Sequence, residues 1–134
     1  TRIDLMKKKI LVVNANYYKE ISDGLISSAL KLIEGHYSIK VIDVPGVFEI
    51  PVTISKNLKK FDAFIALGCV IKGQTPHFDF ISQASTTAIM TLSIESRKPI
   101  GNGIITCLNM KQAKERKKKG AEAAKAIISI LNQR

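Results

Sequence analysis

The 134-residue chain has no tryptophan, two cysteines, four prolines and only 11 acidic side chains against 21 Lys and Arg. Each scarcity removes a class of protein. Cys69 and Cys107 stand far apart in sequence without the paired spacing of a zinc site or a disulfide framework, so two reduced, buried thiols and no metal site are expected. No apolar run approaches the roughly 20 residues that cross a bilayer, which argues against a membrane partner. The start, TRIDLMKKKILVV, lacks a long apolar stretch ending in a small-residue cleavage site, and a cytoplasmic setting is expected. Aromatics make up only 6% of the chain and none is interleaved with the basic clusters at Lys7 to Lys9, Lys56 to Lys60 and Lys111 to Lys119. A formal charge of +10 attracts anions, but the stacking platform of a single-strand binder is missing. No nucleic-acid partner is expected, and most of these lysines read as solvated faces. Linkers, low-complexity tracts and internal repeats are also missing. The chain reads as one domain over 1–134, with 1–8 a loose N-terminal arm.

What is present is an alternation of apolar strands with helical periodicity. KILVVNA (9–15) is a continuous apolar run that fits a buried strand. ISDGLISSALKLIEG (21–35) places Ile21, Leu25, Ala29 and Leu32 at helical intervals before Gly35 stops it. SIKVIDV (38–44) is a second strand, and FEIPVTISKNLKK (48–60) a short helix in which Pro51 is tolerable only near the first turn. FDAFIALGCVI (61–71) and PIGNGIIT (99–106) are the third and fourth strands. A long helix (78–97) lies between them, and a final helix or helix pair (110–131) follows. Four strand–helix units predict a three-layer α/β/α domain with a four-stranded parallel sheet, flavodoxin-like in class.

In such a sheet ligands gather where strands end and helices begin. Three junctions there are polar or glycine-rich: NANYYKE (14–20), DVPGVFE (43–49) and KGQTPHFD (72–79). In the third, Gly73 permits a sharp turn, and the N–H groups of Gln74 and Thr75 near a helix start would cradle an anion. His77 at the first turn of the long helix is either an acid/base, kept neutral by the positive dipole end, or a capping or core histidine. Glu49 is either an acceptor for an amide-like ligand or a helix-start acid. Tyr17 and Tyr18 either stack on a planar heterocycle or pack on a neighbouring element. Arg116 to Lys119 either reach a phosphate or form a solvated face. His36, just after the helix-stopping Gly35, receives no function.

VPGVFEIPV (44–52), GCVIKGQTPHFDF (68–80) and KGAEAA (119–124), in this order and spacing, resemble the lumazine synthases, from about Lys9 to Leu131. The resemblance implies condensation of 5-amino-6-(D-ribitylamino)uracil with 3,4-dihydroxy-2-butanone 4-phosphate to 6,7-dimethyl-8-ribityllumazine, without metal or organic cofactor. It implies His77 as proton carrier, and Tyr17, Val47, Phe48, Glu49, Cys69, Val70, Ile71 and Asn102 around the pyrimidine and ribityl chain. Gln74, Thr75, Arg116 and Lys119 would hold the phosphate. It also implies pentamers with sites between subunits, the arginine crossing the interface. Three positions depart from the family pattern. Asn102 replaces an aromatic, Val47 a smaller residue, and only Lys117, Lys118 and Lys119 separate Arg116 from Gly120. The shortened connection favours a pentamer or pair of pentamers over a 60-subunit shell. A non-catalytic flavin- or lumazine-binding protein of the same fold is the alternative.

Overall fold

The computed structural model describes residues 7–74 and 77–133. Thr75 and most of the expected N-terminal arm lie outside the described residues. β1 (Lys9–Ala15), β2 (Ser38–Val44), β3 (Ala63–Ile71) and β4 (Ile100–Cys107) form one parallel sheet in the order β2-β1-β3-β4. This is the order with which a flavodoxin-like sheet begins. The helices are α1 (Lys19–Ile33), α2 (Ile50–Lys56), α3 (Phe78–Ser96), α4 (Met110–Glu115) and α5 (Lys119–Leu131). The expected helix over 48–60 divides into a 3₁₀ turn at Val47–Glu49 and the shorter α2, with Pro51 in its first turn where no donor is lost. The C-terminal helical stretch resolves into a pair, α4 and α5.

β3 is buried at all nine positions, because it lies between β1 and β4 with helices over both faces. Ile10, Val12, Ile65 and Leu67 face α1 and α5, meeting Leu25, Ala29, Ala124 and Ile127. Leu11, Val13, Phe64 and Ala66 face the other way, onto Ile50 and Ile54 of α2 and Ile89 of α3. Each large side chain fully buried this way contributes about 1.5–3 kcal/mol. That supply of apolar surface on both faces is why these runs are continuous rather than alternating.

α3 is different. Of its 19 residues only Ser85 and Ile89 are buried, and Phe80 and Ile94 are each 67% exposed. No helix among the described residues is long and apolar enough to cross a membrane.

Candidate active site

β1 and β3 are neighbours in the sheet but separated in sequence by β2, so the chain switches direction between them. A cleft opens at their carboxyl ends. It holds a cavity of about 270 Å³. β1 ends at Ala15, and the chain then presents Tyr17, 74% exposed, at the rim with half-buried Tyr18 beside it. Their rings meet edge to face, centroids 4.9 Å apart. β3 supplies Cys69, Val70 and Ile71, and the turn after it supplies Gln74. The 3₁₀ turn contributes Val47 and Phe48. Val47 is buried because β3 has a glycine opposite it, since a Cβ on Gly68 would lie 2.7 Å from Val47 Cγ2. Phe48 stays exposed and also lines a neighbouring apolar groove of about 450 Å³ with Glu49, Val52 and Ala84.

The walls of the first cavity are neutral. Burial, reinforced by Cys107, pushes the Cys69 thiol up to about 12, so it stays protonated. Burial also raises the Tyr18 phenol, with Cys69 and Tyr17 adding to the effect. Its hydroxyl donates to Gln74 Oε1 at 2.9 Å across the cavity. The turn itself is made by Gly73 at φ 85°, and the Gln74 N–H donates back to the Ile71 carbonyl at 3.3 Å, a long bond. An uncharged slot with an aromatic rim suits a flat, neutral heterocycle.

A second cavity, about 700 Å³, wraps the free edge of β4. It brings Asn102 and Thr106 of β4 together with Arg116, Lys118, Lys119 and the acids Glu115 and Glu122. Arg116 ends α4, and its Nη1 donates to the Thr106 carbonyl at 3.1 Å and lies 4.0 Å from Cys107 Sγ. Lys119 pairs with Glu122 at 3.1 Å and Lys117 with Glu20 at 3.5 Å. Exposed pairs of this kind contribute at most about 1 kcal/mol and can be exchanged for another anion. Asn102 Oδ1 accepts from the Ile104 N–H at 3.0 Å. The cationic end of this cavity suits a phosphate, to which an arginine fork binds in two places.

A family model described as 6,7-dimethyl-8-ribityllumazine synthase matches residues 7–134. The chain belongs to that family. A 6,7-dimethyl-8-ribityllumazine synthase of Bartonella tribocorum is 40% identical, over 94% of this chain and 91% of its own length. Proteins of the same name from Nitrobacter hamburgensis and Methylobacterium radiotolerans are 39% and 42% identical, covering 97% and 92% of this chain and 88% and 80% of theirs. The family is one of enzymes, and the strand order places this lumazine synthase chain among α/β folds of flavodoxin type.

Within a single chain, the lumazine synthase residues expected from the sequence fall into two groups. Tyr17, Val47, Phe48, Cys69, Val70, Ile71 and Gln74 line the first cavity. Asn102, Arg116 and Lys119 line the second. Asn102 pairs with Ala66, three residues before Cys69, where β3 begins to line the cavity, which is about 10 Å along the strand direction. It does not reach the first cavity of its own chain. Glu49 lines the apolar groove rather than the cavity, its Oε1 turned back over Gly46. His77 stands exposed just before α3, and its carbonyl accepts from the Ile81 N–H at 2.8 Å. Ile81 lines the cavity without having been singled out in the sequence, and Tyr18, read there as either stacking on a heterocycle or packing on a neighbouring element, lines it as well. Tyr18 was visible in NANYYKE as a ring at the right rim. Ile81 had only its helical spacing to distinguish it, a signal shared by every core residue of α3.

Proposed function

We propose that the chain is a transferase of riboflavin biosynthesis that condenses 5-amino-6-(D-ribitylamino)uracil with 3,4-dihydroxy-2-butanone 4-phosphate. The products are 6,7-dimethyl-8-ribityllumazine, phosphate and water. The observation that carries this reading is identity near 40% to lumazine synthases over more than nine-tenths of the chain. The neutral slot rimmed by Tyr17 takes the pyrimidine, and the turn at Gln74 and Thr75 takes the phosphate together with Arg116 and Lys119. An aryl amine attacks a ketone, phosphate leaves by elimination and the ring closes, so holding two substrates together supplies much of the acceleration. His77 moves the protons. No cofactor is required by these steps, and the setting is the cytoplasm.

The two groups of site residues join when a second copy brings its β4 edge to the first copy's cavity. Two observations support such an arrangement. Arg116 and Asn102 line the second cavity and not the first, and α3 leaves Phe80, Met90 and Ile94 exposed, with Phe48 and Val52 exposed on the 3₁₀ turn and α2. Burying each of these side chains between copies contributes about 1.5–3 kcal/mol. A ring of five copies satisfies every such head-to-tail contact. The test is to mix the purified protein with both substrates and follow the lumazine chromophore. Steady-state formation above the uncatalysed rate is expected. Tight lumazine binding without turnover would replace this reading with that of a carrier.

A further inference from the structure

The two walls of the first cavity are joined by a hydrogen bond between residues 56 apart in sequence, from Tyr18 Oη to Gln74 Oε1 at 2.9 Å. We propose that Tyr18 is a positioning residue whose hydroxyl fixes the turn after β3, and with it the place where a phosphate-bearing substrate docks.

Tyr18 is built as a post. Its backbone precedes α1, with its carbonyl accepting from the Ser22 N–H at 2.9 Å. Its ring packs on the core face of the sheet and against Tyr17. The opposite side is less well held. Gly73 sits at φ 85°, open to neighbouring wells because it has no side chain, and a Cβ there would meet nothing within 4 Å. Among the described residues, the Gln74 N–H makes the long 3.3 Å bond to Ile71. The Tyr18 hydroxyl is therefore the tie that ends the freedom of this turn on the cavity side. A phenol is protonated through the neutral range and burial raises this one further, so the tie is a constant donor and not a switch. In sequence His77 comes three residues after Gln74 and α3 begins next, so the placement of the turn bears on both docking and proton transfer.

This inference rests on the proposed condensation for its kinetic readout and on the hydrogen bond alone for its spectroscopic one. Tyr18→Phe keeps the ring and deletes the tie. The Michaelis constant for the butanone phosphate should rise about three- to ten-fold, the range expected for one neutral hydrogen bond. The constant for the pyrimidine should move less than about two-fold on the same scale. Gln74→Leu should reproduce the change, and the double variant should be no worse than either single one. Wild-type kinetics in Tyr18→Phe would overturn the proposal, as would a double variant whose effects multiply. Backbone ¹⁵N relaxation supplies the second measurement. Gln74 should gain fast motion in Tyr18→Phe while β3 keeps its rigidity, and an unchanged Gln74 would overturn the tie even if the wild-type protein proved inactive in the condensation assay.

Discussion

Cys69 carries a thiol held from an ordinary 9.0 up to about 12, first by burial and then by Cys107. The folded chain thus keeps a proton that the unfolded chain gives up above about pH 9. The sign follows from linkage. The contribution to stability is complete below about pH 9 and is lost as pH rises toward 12. Unfolding free energies from urea titrations across that range should fall more steeply for the wild type than for Cys69→Ala, by up to about 1.4 kcal/mol per pH unit. Equal slopes would show that the thiol titrates as it does in the unfolded chain. At His77 the expected change is in rate rather than stability, because the side chain is exposed and stands before α3 rather than in the core. His77→Ala should lower turnover by about ten-fold to a few thousand-fold with little change in Tm. Unaltered turnover would remove the proton-carrier role, and a collapsed melting transition would give the residue a structural one.

Among the elements, the crossing of α1 and α5 is the most tightly constrained. Gly120, in the first turn of α5, lies so close to α1 that a Cβ would collide with the Leu25 carbonyl and come within 2.6 Å of Ser28 Oγ. Ser28 answers that approach with hydrogen bonds. Its hydroxyl donates to the Lys117 carbonyl at 3.0 Å and accepts from the Ala121 N–H at 3.1 Å, so α1 caps the start of α5. The short connection after Arg116 is held here, which fixes where Arg116 and Lys118 project. Gly120→Ala should cost about 1–3 kcal/mol by overpacking and separate the two helices. Thermal melting measures the cost. A variant as stable as the wild type would mean that α5 shifts freely on α1, and in that case Arg116 would lose its fixed position as well.

At the scale of the whole molecule, α3 leaves Phe80, Met90 and Ile94 exposed and β4 ends the sheet, and the proposed site needs both surfaces. Light scattering at working concentration should give a particle of five or ten chains. A single chain with full activity would defeat the shared site, and a shell of 60 would defeat the inference from the short Arg116–Gly120 connection. Complementation tests the sharing directly. In a ring built from equal amounts of His77→Ala and Arg116→Ala chains, roughly one site in four combines an intact histidine with an intact arginine from different copies. Activity should return to about that fraction in mixed rings and stay near zero in either variant alone. Without recovery, the two residues would have to act within the same chain.

The fold was legible because its signals are local. Continuous runs such as KILVV and AFIALGCVI can be buried on both sides only between helices, and Gly35 and Pro51 mark helix limits by their own backbone restrictions. The rim residues Tyr17 and Gln74 were legible for the same reason, since each follows the end of a strand. Spatial relations across the sheet were not. Nothing in the order of residues says that Tyr18 and Gln74 share a hydrogen bond, that Gly68 makes room for Val47, or that Glu49 lines the neighbouring groove. Those depend on the strand order β2-β1-β3-β4 and on the angle at which α1 meets the sheet. The placement of Asn102 outside the first cavity is also a tertiary fact. It arises because β4 enters beside β3 with Asn102 level with Ala66, a register set by packing along the whole strand and not by any residue at the site.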